Sequence, residues 1–460
     1  MNAVVVGCGK VGYAIAKYLS QDRANNVVVV DRKDVQPRIE ESADVMFVRG
    51  NGLTRSALSE ANIKSCDLFI AATNIDETNV LSCITAERLG AKHSVARVRD
   101  PEFSKELEEV GKALGVDMII NPDLQAALEI SRLLRFPSAT DIETFVSGRV
   151  EMVSFRAAPN NPLVGMSLGE SFRSVRIPVL MALVERNGSV IVPNGQTVVE
   201  PGDMVRVMGK PSNISDFFRY IGMPATRAKD AIIIGGGRIT RYLAAALPGG
   251  VSVKIIEKDI DRAERLSEAV PEALVIHGDG ADDELLDSEG AGSADAVICL
   301  TDRDEENIVA GLYAKRSGAK KVILKINHVS QTLANGLDIG SVICPKTLTA
   351  FMILRYARGL MGSASGSSMK TLYRVAENGD EFVEAIEFEV SSDFPGLGRE
   401  VRDMGIKPGV LLGCVVRHGS IIIPTGNTVI KKNDSVIVLA NNIHLTALAD
   451  ILGGEGAGAR

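Results

Sequence analysis

The sequence predicts an α/β protein made of two tandem doubly wound parallel sheets, each followed by a small α+β lobe. Three observations carry that expectation. Short Val- and Ile-rich runs alternate with amphipathic stretches, as strands and helices do around a parallel sheet. A glycine-rich turn follows the first strand of each series. The whole series then restarts, so that 460 residues, enough for about three ordinary domains, divide better by two.

Taken in order, Val4-Val5-Val6 run into Gly7-Cys8-Gly9-Lys10-Val11-Gly12, and a helix is expected from about Tyr13 to Leu19. Val27 to Val30 form a buried-type strand ending in Asp31. Val45 to Val48 lead into Arg49-Gly50-Asn51-Gly52, and Asp67 to Ile70 into Ala71-Ala72-Thr73-Asn74. Val95 to Val98 and Met118 to Ile120 complete the sheet.

After Pro224 the pattern returns, with Gly235, Gly237, Gly278 and Gly280 standing 228 residues beyond Gly7, Gly9, Gly50 and Gly52. Asp295, Thr301, Asp304, Glu305 and Asn307 repeat Asp67, Thr73, Asp76, Glu77 and Asn79 at the same offset. Matches in that number at one spacing identify an internal duplication. A second, smaller repeat follows each sheet: Arg186-Asn187-Gly188 answers to Arg417-His418-Gly419 at an offset of 231. Its short alternating strands and tight turns describe a hairpin-rich lobe. The expected domains are therefore 1–122 and 229–345 for the large lobes, and 140–222 and 370–453 for the small ones. Gly359 to Ser368 is expected to be a flexible linker, and the tail from Gly453 to fray.

Composition narrows the function classes. With 45% hydrophobic and 24% charged residues the chain is globular, and disorder is excluded. A net charge of −7 speaks against electrostatic steering onto nucleic acid or an anionic bilayer. Six cysteines without a CxxC pair read as reduced thiols, and no metal site is expected from them or from the five scattered histidines. No apolar run approaches the roughly 18 residues of a membrane span. A cytoplasmic protein, docked on a membrane only through a partner, is expected.

The glycine turns point to a nucleotide. In the first, GxGxxG follows a strand and opens a helix, and Asp31 lies nineteen residues past Gly12. That context makes the fold Rossmann-like: Gly7 permits the turn, Gly9 the approach of a pyrophosphate, and Gly12 close helix–sheet packing. The helix N-terminus offers its N–H groups to phosphate. Asp31 is placed to accept from ribose hydroxyls and to repel a 2′-phosphate, which selects NAD(H), ATP, ADP or AMP; Arg32 leaves some room for NADP. Cys8, Lys10, Val11, Asn51, Thr73, Asn74 and Arg97 complete the expected first site.

The second site is expected from Gly235, Gly236, Gly237, Arg238, Ile239, Glu257, Asp279, Thr301 and Lys325. Thr240 replaces the third glycine and should push its helix slightly off the sheet, weakening this site. Lys10 and Arg238 occupy one position of the two loops, where a cation either meets a terminal phosphate or stays solvated. Asp76, Glu77 and Asn79, with Asp304, Glu305 and Asn307, are read as helix N-terminal residues that complement the macrodipole and cap, with a ligand or interface role as the alternative.

Catalytic residues are not found. Tyr13 and Lys17 form a YxxxK pair, but on the phosphate-binding helix and pointing away from a nicotinamide. No HExxH, GxSxG or Walker motif is present, and His277 is expected to bond ribose or backbone.

The glycine loop, acidic ribose binder, Gly-Asn/Asp-Gly turn, Ala-Thr-Asn…Asp-Glu…Asn run and β-rich small lobe, all present twice, resemble the TrkA family. These are the cytoplasmic nucleotide-binding subunits of Trk potassium uptake systems. Each half is similar to one unit of the "regulator of conductance of potassium" (RCK) kind, an N-lobe plus a C-lobe, and the likeness runs from Val4 to about Leu452. The resemblance implies a peripheral, non-enzymatic gating-ring subunit that binds NAD(H), with ATP or ADP as other occupants. It implies a homotetramer under a potassium-translocating membrane subunit of the TrkH/TrkG kind. A gating subunit of another ion transporter, or an NAD-dependent oxidoreductase, are the alternatives.

Overall fold

Consecutive β-branched side chains favour extended backbone and, when buried on both faces, the middle of a parallel sheet. The computed structural model describes residues 1–22, 24–34, 44–170, 177–223, 227–247, 250–327, 339–362, 368–378 and 381–453. In it Val4, Val5 and Val6 lie in β1 (Asn2–Val6), followed by α1 (Lys10–Ser20), β2 (Asn26–Asp31) and β3 (Met46–Arg49). Then come α2 (Arg55–Glu60), β4 (Leu68–Ala71), α3 (Asp76–Leu89) and β5 (His93–Arg97). α4 (Pro101–Val110), β6 (Met118–Ile120) and α5 (Pro122–Leu133) complete the lobe. The strand order β3-β2-β1-β4-β5-β6, parallel throughout, reverses direction between β1 and β4, and the crevice at that switch point is where such sheets bind ligands.

The small lobe of the first half holds β7 (Asp141–Phe145), β8 (Val150–Arg156), β9 (Val179–Arg186), β10 (Ser189–Ile191), β11 (Met204–Gly209) and α6 (Pro211–Tyr220). The second half repeats both lobes. Its parallel sheet runs through β12 (Asp230–Ile234), α7 (Arg238–Ala246), β13 (Ser252–Glu257), α8 (Ile260–Ala269), β14 (Leu274–His277) and α9 (Asp283–Ser288). β15 (Ala296–Cys299), α10 (Asp304–Ser317), β16 (Val322–Lys325), β17 (Ser341–Ile343) and α11 (Pro345–Gly362) follow. The last sheet is β18 (Ser368–Asn378), β19 (Glu381–Glu389), β20 (Val410–Arg417), β21 (Ser420–Ile422) and β22 (Ser435–Asn441).

The two halves agree in detail. Strand order β14-β13-β12-β15-β16-β17 repeats the first sheet, and β18-β19-β22-β20-β21 repeats β7-β8-β11-β9-β10. Asp67 accepts from Asn2 N and pairs with Lys92 at 2.8 Å, while Asp295 accepts from Lys229 N and pairs with Lys320 at 2.7 Å.

What the sequence order did not foretell is the grouping. The two large lobes form one unit (Met1–Leu134 with Ala228–Leu354) and the two small lobes another (Arg135–Arg227 with Arg355–Arg460). Within the large-lobe unit α5 packs on α7, with Ser131 Oγ donating to Ala246 O, and the rings of Tyr18 and Phe351 lie 4.8 Å apart. Within the small-lobe unit one core holds Phe145, Met152 and Leu183 together with Ala385, Ile437 and Leu439. Tyr373 packs edge-on to Phe145 at 5.2 Å and donates its hydroxyl to Thr144 O.

The hairpin turns Asn187-Gly188 and His418-Gly419 have φ of 50° and 80°, and 48° and 81°, the doubly positive values of a type I′ turn. Beside each, an arginine grips a buried aspartate by two bonds of 2.8–2.9 Å: Arg186 with Asp203, and Arg417 with Asp434.

Two expectations change. The helix after the first glycine turn begins at Lys10 rather than Tyr13, because Gly9 itself is the N-cap. Gly359 to Gly362 belong to α11 and not to a linker, since burial of Ile353, Leu354, Ala357 and Arg358 outweighs the modest helix cost of glycine. Residues 363–367 of that stretch and the tail beyond Gly453 lie outside the described residues. Among the described residues, no helix is long and apolar enough to cross a membrane.

Candidate functional site

Each crevice begins with a glycine that no other residue replaces without strain. Gly7 has φ +92° and an added Cβ would lie 2.9 Å from Thr73 N; Gly235 has φ +103° and the same approach to Thr301 N, at 3.0 Å. Gly9 and Gly237 are the N-caps of α1 and α7, with open space where a side chain would be and no side-chain cap on the first turn. The first-turn N–H groups and the positive end of the helix dipole are thus presented as an anion cradle.

Asp31 ends β2, as the pattern requires, but its carboxylate has structural work too. Oδ2 accepts from Cys8 N at 2.6 Å and Oδ1 from Lys33 N at 2.8 Å. Glu257 does the same in the second half, accepting from Gly236 N at 2.6 Å and Asp259 N at 2.8 Å. Both acids therefore tie the glycine loop to the neighbouring strand; the Asp31 oxygens keep lone pairs for ribose hydroxyls, whereas Glu257 Oε2 also faces Arg262 at 3.5 Å. Asn51 Oδ1 accepts from Leu53 N, which shapes its turn. Lys10, Val11 and Ile239 open the glycine-loop helices; Lys10 and Arg32 are exposed, while Val11 and Ile239 are buried.

The Asp-Glu pairs stand in the first turns of α3 and α10, where they complement the helix dipole as expected, but the run does not cap these helices by side-chain bonds. The N-caps of α3 and α10 are Ile75 and Arg303, without side-chain cap bonds. Asn79, wholly buried, accepts from Thr73 N and Oγ1 (2.8 and 2.6 Å) and donates to Thr73 O and Arg97 O (3.2 and 2.8 Å). Asn307 repeats all four bonds with Thr301 and Lys325 at 2.9–3.1 Å. Asp76 accepts from Arg99 N and Asp100 N, and Asp304 from Asn327 N. These side chains clamp the loop carrying Thr73-Asn74, or Thr301-Asp302, to the next strand. Asn307→Ala strands the Thr301 N–H and the Lys325 carbonyl, while the Thr301 hydroxyl keeps Arg303 O as acceptor, and is expected to cost about 2–3 kcal/mol of stability. Urea unfolding checks it, and a loss below about 0.5 kcal/mol would contradict the clamp.

Arg97 stands under this loop, donating to Thr73 O at 3.3 Å. Burial, helped by the neighbouring Arg99 charge, pushes its guanidinium down to about 10. Its counterpart Lys325 is also buried and pairs with Asp302 at 3.0 Å, which holds Asp302 below the usual carboxylate range.

The second crevice is a cavity of about 880 Å³. Gly235, Gly236, Gly237, Arg238, Ile239, Glu257, Asp279, Thr301 and Lys325 all line it. Thr240 does not close it: its hydroxyl donates to Gly235 O at 2.5 Å, and Gly237 enters the helix at φ −76°, ψ −170°, beside −71°, −167° at Gly9. Asp279, lowered chiefly by its hydrogen bond from Lys258, accepts that ammonium at 2.5 Å, and His277 Nε2 meets Lys258 O rather than standing free for catalysis.

Sequence reasoning missed several lining residues, among them Arg241, Arg262, Arg265, Arg303 and Asp123. Arg262 and Arg265 lie three apart on α8, a spacing that marks one helix face but reads equally as a solvated one. Asp123 comes from the first half: its Oδ2 accepts from Arg238 Nε at 2.8 Å. Nearby, Asn121 caps α5 and donates to Tyr242 Oη at 2.6 Å, and Tyr242 donates to Arg99 O at 3.0 Å.

Among the described residues no cluster of His, Cys, Asp and Glu could hold a metal ion. All six cysteines are buried thiols, and burial pushes Cys66, Cys83, Cys299 and Cys414 up to about 12, far from nucleophilic use.

The chain matches the TrkA-N domain family over residues 3–122 and 231–345, and the TrkA-C domain family over 152–222 and 385–453. It is 31% identical over 452 residues to Trk system potassium uptake protein TrkA homolog 2 of Methanosarcina mazei, covering 96% of this chain and 97% of that one. To Trk system potassium uptake protein TrkA of Vibrio alginolyticus it is 32% identical over 447 residues, 96% of each chain. The fold is that of the GsuK RCK domain (TM-score 0.60, 18% identity, 95% of this chain and 92% of that one). It is likewise that of the GsuK channel bound to NAD (TM-score 0.60, 18% identity, 95% and 76%). Duplicated Rossmann-like sheets, paired small lobes and relatives aligned almost end to end lead to one conclusion: the chain belongs to the TrkA family of Trk system potassium uptake proteins.

Proposed function

We propose that this chain is the nucleotide-binding regulatory subunit of a potassium uptake system, acting by binding and not by catalysis. The observation that carries the reading is the pair of uncapped helix N-termini behind glycine turns, each tied to an acidic residue at the end of the neighbouring strand. NAD(H) is the proposed ligand, with ATP and ADP as competing occupants; the NAD named for the GsuK channel, which shares this fold, supports it. The proposed sites are Gly7 to Gly12, Asp31, Arg32, Asn51, Thr73, Asn74 and Arg97 in the first half, and the nine lining residues named above in the second. The chain works at the inner face of the membrane, as a ring of four copies beneath a potassium-translocating subunit. A nucleotide that binds two ring shapes with different affinity shifts the balance between them, and the partner senses the shift.

A thermal-shift panel of NAD, NADH, ATP, ADP and NADP tests the reading. A ligand at about 100 times its Kd adds roughly 2.7 kcal/mol when only the native state binds it. No response to any nucleotide would sink the proposal. Asp31→Ala removes the acceptor for ribose and is expected to weaken NAD binding at the first crevice at least about tenfold, near 1.4 kcal/mol. Calorimetric titration reads the change, and unchanged binding would remove Asp31 from the site.

A further inference from the structure

The cation of the second glycine loop is already engaged. Arg238 opens α7, at the helix end where phosphate would dock, and its Nε meets Asp123 Oδ2 at 2.8 Å. Asp123 lines the same cavity although it belongs to the other large lobe, 115 residues earlier in the chain. Its position is fixed twice over. It lies in the first turn of α5, where a carboxylate is favoured by the helix dipole, and its N–H is capped by Asn121. The Asn121–Tyr242 bond holds the same two helices together a few residues away.

The first half is built differently at this point. The corresponding helix, α11, carries Phe351 against Tyr18 of α1, and it opens with Pro345-Lys346 where α5 opens with Pro122-Asp123. A carboxylate therefore enters the second crevice from the opposite lobe, while the matching position in the repeat holds a cation. Arg241, Arg262, Arg265 and Arg303 also line the second cavity. With Gly235 set on Gly7 and Thr301 on Thr73, the repeat has the uncharged Tyr13 and Ile75 where the second half has Arg241 and Arg303. The second crevice thus gathers cations among several carboxylates, Glu257, Asp279 and Asp302 included, and Asp123 is the acid that directly pairs with its glycine-loop cation.

We propose that Asp123 is a specificity-determining residue of the second crevice: it holds Arg238 and disfavours ligands in proportion to the charge of their phosphate chain. This rests on the nucleotide-binding reading given above. A ligand with one phosphate leaves the Asp123–Arg238 pair intact. A triphosphate must either face the carboxylate or draw Arg238 away from it, and the like-charge contact or the broken pair reduces its affinity. Arg238 cannot serve both anions fully.

The test titrates the full chain with AMP, ADP and ATP in the absence of divalent cations. Hydrogen exchange of the amides of residues 235–241 reports occupancy of this crevice alone. Asp123→Asn keeps size and hydrogen bonding while removing the charge; it is expected to tighten ATP about tenfold, ADP less, and AMP less than about twofold. Asp123→Glu should restore the wild-type order. Equal gains for the three nucleotides, or none although nucleotide protects residues 235–241, would overturn the inference. If no nucleotide protects that segment in either protein, the nucleotide-site reading of the second crevice falls, and the role of Asp123 with it.

Discussion

Gly12→Val is expected to cost about 3 kcal/mol of stability and to abolish nucleotide binding at the first crevice. A Cβ at Gly12 would lie 1.8 Å from the Gly7 carbonyl oxygen, a clash of backbone against backbone that no rotamer relieves. Gly7 cannot retreat, because its own φ of +92° and the nearness of Thr73 N fix it. Relief must come from α1 moving away from the loop, and the anion cradle moves with it. The second half supplies the control. There Thr240 occupies the equivalent position, wholly buried, with its hydroxyl donating to the very carbonyl that a Cβ would otherwise crowd. Gly12→Thr should accordingly retain more stability than Gly12→Val, which has the same shape but no donor. Urea unfolding and NAD titration of the two variants check this, and equal losses would show that the hydroxyl contributes nothing.

Glu384→Gln is expected to destabilise the chain by about 3–5 kcal/mol, the cost of leaving a buried charge without its partner. Glu384 is completely buried on β19, with Arg358 at 2.5 Å, Arg374 at 3.3 Å and His444 Nδ1 at 3.4 Å. Arg374 also lies 4.7 Å over the Phe382 ring, on which His444 stacks at 4.4 Å. Burial alone would raise the carboxyl. The contact with His444, whose Nδ1 also meets Arg358 Nη2 at 2.7 Å, and the charge of Arg358 outweigh it and bring it from its ordinary 4.5 down to about 2. A carboxyl lowered in the folded state binds its proton more readily in the unfolded one, so its stabilisation is complete above about pH 4.5 and is lost as pH falls towards 2. Denaturation followed between those values should show a steeper decline in the wild type than in Glu384→Gln, which keeps only the acid sensitivity of other lowered carboxylates such as Asp279 and Asp302. The same slope in both proteins would refute the pairing.

Much of the fold was legible because its signals are local. Val4 to Val6 and Ala231 to Ile234 are strands on composition alone, and Gly7 and Gly235 require positive φ whatever surrounds them. Asp31 and Glu257 were found by their distance from the glycine turn, a spacing set by one helix and one strand. Asn79 and Asn307 were noticed but misread: a polar residue in the first turn of a helix suggests a cap, and nothing local says that it reaches Thr73 and Arg97 instead. The flexible linker expected from Gly359 fails for the reverse reason, since glycine content is a local property and burial of the preceding turn is not.

The duplication, the order of the lobes and the two glycine turns behind strands were all readable in the sequence, as consequences of short-range patterns repeated at a fixed spacing. Only the tertiary structure decided that large lobe joins large lobe and small joins small, because the apolar faces concerned lie more than a hundred residues apart. It likewise decided that the two crevices differ in more than Thr240, which the structure accommodates by a hydrogen bond. Asp123 reaches the second crevice from the other half of the repeat. Charge acts over ångströms, and the ångströms that matter are set by packing.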